Sequence, residues 1–368
     1  MQKKVLIIDD SALMRRVLSD IINTDARFLV TKVATNGLDA LNLIALEKDN
    51  FDAIILDINM PKMNGIELLE QLERFNIKLT VIMVSTLAKE GAKETIQALE
   101  LGAFDFVTKP ESFLEVKSDE FKNKLINCLA VATKLDQNIK PDQKENQGIK
   151  AFEVKDADIN LARKIPTTRP ARRGRSNNRL VTIACSTGGP KALQQIVPKL
   201  PGNLDCSVLI VQHMPEGFTY SLAHRLNELS NVEVKEAEHG EILKKGVVYI
   251  AQGGRQMRVI HENGMDKLSI TQEPARNGLK PCADIMFESL VDSEFDDIIC
   301  VVLTGMGGDG TNGIKSLNKN KNIYVIAQDE ETCTVYGMPK VITESGLVNE
   351  IVPLSRITEA ITKNLGVQ

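Results

Sequence analysis

Leu180-Val-Thr-Ile-Ala-Cys-Ser186-Thr-Gly-Gly-Pro190 is the stretch on which the fold of this chain turns. A β-branched apolar run of this kind reads as a buried strand. It stops at a hydroxyl followed by two glycines, which permit a tight turn with close backbone approach, and by a proline, which suits the start of a helix. Strand, sharp turn and helix start would hold Ser186 out at the carboxyl edge of a sheet, where backbone N–H groups can stabilise an oxyanion. Three readings stand at this point: a serine nucleophile, a phosphate-binding nest, or a plain structural turn. The nucleophile-elbow pattern Gly-x-Ser-x-Gly is met only in its second half, because Ala184 occupies the first glycine position.

The same alternation continues downstream. Apolar runs at 180–184, 207–212, 232–236, 247–250, 298–303 and 323–326 are separated by helical stretches such as 191–197, 221–229, 283–291 and 311–318. This predicts a doubly wound, mostly parallel α/β sheet, with a small antiparallel insertion over 257–271 marked by the Asn263-Gly264 turn. A serine nucleophile needs a base, and the chain has four histidines. His224 falls mid-helix, while His239 and His261 flank turns away from the parallel strand ends. His213 alone closes an apolar strand, in Ser207-Val-Leu-Ile-Val-Gln-His213-Met-Pro, so adjacent strands would present Ser186 and His213 at one edge. The competing reading is a histidine that closes its strand with a hydrogen bond. A third strand end, Ile298-Ile-Cys-Val-Val-Leu-Thr304-Gly-Met306-Gly-Gly-Asp309-Gly, offers a carboxylate able to hold the imidazole in one tautomer. No P-loop lysine comes after its glycines, which argues against a nucleotide site. Cys185 is a weaker rival nucleophile, since strand neighbours face opposite sides.

Upstream, runs at 5–8, 28–33, 53–56, 81–84 and 104–107 alternate with amphipathic segments, predicting a second doubly wound parallel sheet of five strands and five helices. Asp9-Asp10, Asp57, Ser85 and Lys109 each follow an apolar run directly, at the end of the sheet where such folds place their sites. Crowded carboxylates repel one another until a divalent cation neutralises them, and Mg²⁺ suits an all-oxygen set. A carboxylate beside such a cation can attack a phosphoryl group, with Lys109 and Ser85 receiving its oxygens. Strand-end acids that merely cap helices are the competing reading.

Between the two patterns, from 136 to 178, apolar periodicity disappears, which predicts a linker. Arg163, Lys164, Arg169, Arg172, Arg173, Arg175 and Arg179 lie there or at its edge, a cluster that could meet an acidic partner or simply solvate a tether. A chain of 368 residues with 43% apolar and 26% charged composition has room for two cores. The net charge of -4 supplies no basic field for nucleic acid. No apolar run has the length of a membrane span, the N-terminal residues lack a signal-peptide plan, and the six scattered cysteines read as reduced core thiols. A cytoplasmic protein without membrane insertion is expected.

Two resemblances fit these motifs. Asp9-Asp10, Asp57-Ile-Asn-Met-Pro61-Lys-Met-Asn-Gly65, Ser85 and Lys109-Pro110 resemble the receiver domain of two-component response regulators. That implies a flavodoxin-like domain over 1–135 with Asp57 as phosphoacceptor. It also implies Asp9, Asp10 and Asp57 as Mg²⁺ ligands, Ser85, Phe106 and Lys109 as the phosphate switch, and a histidine kinase as donor. Ser186-Thr-Gly-Gly-Pro190, Gln212-His-Met-Pro215, Leu303-Thr-Gly-Met-Gly-Gly-Asp309-Gly and Tyr336-Gly-Met-Pro339 are similar to the catalytic domain of the chemotaxis protein-glutamate methylesterases and glutamine deamidases. The likeness covers 179–368 and implies Ser186 as nucleophile, His213 as base, Asp309 as its orienter and the Thr187 and Met306 N–H groups as oxyanion hole. No cofactor is implied for the esterase, and methylated chemoreceptors are the implied substrates. Ala184-Cys185 replaces the usual Gly-Ala, Gln256 stands at a common histidine position, and so does Leu279. A non-catalytic adaptor and a transcriptional regulator are the alternatives. The adaptor predicts no serine adduct, and the regulator would have a shorter, basic output domain.

Overall fold

The structure, a computed structural model, describes residues 2–47, 50–86, 89–110, 119–135 and 178–366. The expected linker, with its arginines up to Arg175, lies outside them as far as residue 177. The first sheet contains β1 (Lys3–Ile8), β2 (Phe28–Ala34), β3 (Ala53–Asp57), β4 (Val81–Ser85) and β5 (Asp105–Thr108), in the order β2-β1-β3-β4-β5 and parallel throughout. Val5 to Ile8, β3 and β4 are buried on both faces, which is why they read as unbroken apolar runs instead of alternating ones. The helices Ala12–Asn23, Gly37–Glu47, Gly65–Arg74, Lys89–Glu100 and Asp119–Ala132 supply the cover. Register brings the strand ends level: Leu56 pairs with Ile8 and Met83, and Ser85 with Thr108. Asp9, Asp57, Ser85 and Lys109 therefore leave the sheet at one edge.

The second sheet is larger. It is built from β6 (Arg179–Cys185), β7 (Ser207–Gln212), β8 (Glu233–Glu236), β9 (Val247–Ile250), β12 (Asp297–Val302), β13 (Asn322–Gln328) and β14 (Glu350–Val352), in the order β14-β13-β12-β6-β7-β9-β8, with every neighbour parallel. β10 (Gln256–Glu262) and β11 (Met265–Thr271) form the antiparallel hairpin, turned at Asn263-Gly264 with both residues at positive φ. The central strands β12, β6 and β7 end together, since Ala184 pairs with Val302 on one side and Val211 on the other. Helices Gly189–Ile196, Phe218–Leu229, Ala283–Ser289, Thr311–Leu317, Met338–Glu344 and Ile357–Leu365 pack on this sheet and its hairpin. Beyond the sequence expectations lie β14 and the last two of these helices.

Candidate active site

Ser186 is the first residue beyond β6. Its N–H donates to the Thr304 carbonyl at 3.1 Å, and its own carbonyl accepts from Gly189 N–H at 2.7 Å, closing the turn. Gly188 takes φ 78°, a left-handed conformation that glycine adopts without strain, and Pro190 follows inside the helix start. The buried Gln212 amide donates from Nε2 to the carbonyls of both Ser186 (3.0 Å) and His213 (3.2 Å), so one side chain ties the two backbones. Gly305 must be small, since a Cβ there would approach the Ser186 Cβ to 2.8 Å. His213 Nε2 lies 2.8 Å from Asp309 Oδ2, with the two side chains only 10% and 5% exposed. That contact leaves Nδ1 as the nitrogen available for a serine proton. Among the described residues the Ser186 hydroxyl itself makes no hydrogen bond.

Asp309 is held on both oxygens. Oδ2 also accepts from Ala283 N–H at 2.6 Å, while Oδ1 accepts from Asp284 N–H at 3.0 Å and the Cys282 thiol at 3.1 Å. Burial alone would raise its pKa, but the His213 contact and the two N–H donors outweigh that and hold the carboxyl down at about 2. Burial and the Asp309 charge push the Cys282 thiol up to about 12, so it stays a protonated donor. Neither the Thr187 nor the Met306 N–H donates to a protein acceptor among the described residues, and the Met306 side chain is exposed. Cys185 is buried with its Sγ turned to the Val211 carbonyl, and burial raises its pKa, which removes it as a nucleophile.

At the edge of the first sheet, carboxylate oxygens of Asp9, Asp10 and Asp57 lie within 4.8 Å of one another. Lys109 Nζ reaches Asp9 Oδ2 at 3.0 Å and Asp57 Oδ2 at 2.8 Å. Burial pushes the Asp57 carboxyl up, the Asp9 charge adds to this, and Lys109 only partly offsets it. Burial works against the Lys109 ammonium, but the two carboxylates prevail and raise its pKa. Ser85 is buried and turned toward the helix Lys89–Glu100, donating to Gly91 O at 3.2 Å and accepting from Thr95 Oγ1 at 2.8 Å.

The whole chain has relatives of the same two-domain length. Residues 181–361 match the CheB methylesterase family and residues 5–118 match the response regulator receiver domain. A protein-glutamate methylesterase/protein-glutamine glutaminase of Desulfotalea psychrophila is 41% identical over 367 residues, 97% of each chain. That of Bacillus subtilis is 39% identical over 362 residues, covering 98% of this chain and 97% of its own. The chain belongs to the protein-glutamate methylesterase/protein-glutamine glutaminase family. Among solved structures it is similar to the Thermotoga maritima CheB methylesterase catalytic domain, 40% identical with a TM-score of 0.49, over 50% of this chain and 98% of that one.

In this methylesterase the receiver is seated against the serine edge. Thr187 Oγ1, next to Ser186, donates to Asp105 Oδ2 at 2.6 Å. Phe106 stacks on Phe218 with centroids 4.6 Å apart. Arg225 clamps Glu100 through Nε (2.7 Å) and Nη2 (3.2 Å), and Gln194 reaches the same carboxylate at 2.8 Å. Burial pushes the Asp105 carboxyl up, only partly opposed by the Thr187 hydroxyl. The sequence reading singled out Phe106 but not Asp105, Glu100, Phe218 or Arg225, since partners about 80 to 125 residues apart carry no common local pattern.

Proposed function

We propose that Ser186 is the nucleophile, His213 the base and Asp309 its orienter in hydrolysis of glutamyl methyl esters, and of glutamine amides, on chemoreceptors. The observation that carries this reading is the 2.8 Å His213–Asp309 contact at the strand edge where the Ser186 turn emerges. Ser186 Oγ attacks the side-chain carbonyl and its proton passes to His213 Nδ1; the tetrahedral oxyanion is received by the Thr187 and Met306 N–H groups. Collapse breaks the ester carbon–oxygen bond, or the amide carbon–nitrogen bond of a glutamine, and His213 returns the proton to the departing methanol or ammonia. Water then attacks the acyl-enzyme by the same relay and leaves glutamate. Reaction with a fluorophosphonate ester tests the assignment by mass spectrometry: one adduct on Ser186 is expected, and labelling that persists in Ser186→Ala contradicts it.

Control is assigned to the receiver, with a histidine kinase phosphorylating Asp57. The clustered oxygens of Asp9, Asp10 and Asp57 are a fitting donor set for Mg²⁺, which when bound would supply positive charge to offset the carboxylate and the incoming phosphoryl oxygens. Lys109 reaches Asp57 directly and would hold a phosphoryl oxygen. Ser85 turning from Gly91 toward the phosphate would be coupled to Phe106 leaving its stack on Phe218. The contacts from Asp105 to Thr187 and from Glu100 to Arg225 support a closed state that keeps receptor segments from Ser186.

A further inference from the structure

We infer that Gln256 is a positioning residue for the acid end of the triad. This rests on the triad reading above. Gln256 opens β10 on the antiparallel hairpin, outside the parallel sheet that carries Ser186, His213 and Asp309, and it is completely buried. A buried primary amide must find partners for an acceptor and two donors, and here they all lie on the segment that leads to Asp309. Oε1 accepts from Cys282 N–H at 2.9 Å, while Nε2 donates to Leu279 O at 3.1 Å and Pro274 O at 3.3 Å.

The next links follow without a gap. Cys282, whose N–H Gln256 fixes, donates its thiol to Asp309, and the following two N–H groups, Ala283 and Asp284, donate to the same carboxylate. The far end of that short helix is tied to the same hairpin strand, because Val259 N–H donates to Ser289 Oγ at 2.8 Å. Asp284 reaches across to Gly313 N–H at 2.7 Å, in the helix that follows Asp309. Both oxygens of Asp309 thus take their orientation from a segment that Gln256 anchors. The hairpin acts as a bracket for the orienting carboxylate. Leu279 and Gln256 belong to one device: the side chain of residue 279 is not used, but its carbonyl is.

Loss of the anchor should act on the chemical step more than on substrate binding, since the Gln256 side chain is fully buried and its amide bonds only to Pro274, Leu279 and Cys282 backbone groups. Gln256→Met keeps volume and removes every hydrogen bond. In the full chain with phosphodonor and Mg²⁺, methanol release is expected to fall about 10- to 100-fold in kcat with KM nearly unchanged, as for other misplacements of about 1 Å. The titratable groups facing Asp309 are His213, Cys282 and Asp284. With the carboxylate no longer aimed, the imidazolium loses stabilisation and the acid limb of the kcat/KM profile moves to lower pH. Gln256→His, which offers one acceptor and one donor nitrogen, should restore most of kcat and the limb. Gln256→Asn, shorter by one methylene, decides the matter if the Met variant does not accumulate: a smaller fall with the same limb shift is expected. A folded Met or Asn variant with kcat and acid limb within twofold of the parent overturns the inference. Ser186→Ala measured alongside separates the two claims, because activity that survives it overturns the triad itself, whereas activity lost there but kept without Gln256 overturns only the bracket.

Discussion

At the scale of single residues the site is a problem of holding a buried carboxylate still. Asp309 keeps its charge because His213, Cys282, Ala283 and Asp284 supply what water would otherwise provide. A native-state value of about 2 against an ordinary carboxylate near 4 corresponds to about 2 kcal/mol of stability. The sign follows from the depression: the contribution is complete above about pH 4 and is lost as pH falls through about 2. Asp309→Asn should therefore lower kcat by about 10³- to 10⁴-fold, as when other triads lose their acid. The gap in urea midpoint between parent and variant should narrow as the pH is taken from 5 to 2, roughly the span of the titration. An equal gap across that range would show that the charge carries no stability. That Ser186, His213 and the Asp309 loop would share one edge was legible because each follows an apolar strand, and strand ends in a parallel sheet converge. Gln212 and Gln256 were not legible as supports, because each is defined by a contact with backbone groups far along the chain or at a separately fixed turn, and Cys282 was not because its thiol meets a carboxylate 27 residues away.

At the scale of elements, what the sequence made readable is what is buried twice. β6 and β7 are covered on both faces and show as uninterrupted apolar runs. The hairpin was legible for another reason, the Asn-Gly turn that accommodates positive φ at both positions. β14 was not, because three residues at the sheet edge, one of them Glu350, give no period to count. Short-range capping offers a clean check on how local signals set these boundaries. Asn64 accepts from Glu67 N–H at 2.8 Å while Glu67 accepts from Asn64 N–H at 2.8 Å, a reciprocal cap that starts the helix after the Asp57 loop. Asn64→Ala should cost about 1 kcal/mol in denaturant unfolding of the receiver, with methylesterase-domain unfolding unmoved. No change in the receiver transition would mean that tertiary packing alone sets the helix start.

At the scale of the whole molecule the two sheets meet through contacts that lie beside both candidate sites at once. Phe106 lies one strand residue from Asp105, which holds the hydroxyl of Thr187, which in turn adjoins Ser186. None of this could be read along the chain, where Glu100 and Arg225 are ordinary charges on amphipathic helices. Arg225→Ala removes a partly exposed clamp on Glu100, and partly exposed ion pairs contribute about 0.2–1 kcal/mol. The upper part of that range corresponds to a rise of about two- to fivefold in the rate without phosphodonor, which is the change expected, while the rate with phosphodonor stays put. An unchanged basal rate would separate the clamp from control. The most direct test of the central claim is methanol release from methylated receptor membranes by the full chain and by Ser186→Ala, each with and without a small phosphodonor and Mg²⁺. The parent should release methanol, faster with the phosphodonor, and Ser186→Ala should be slower by about 10⁶-fold, as when other triads lose their nucleophile. A loss below tenfold in Ser186→Ala would contradict the account.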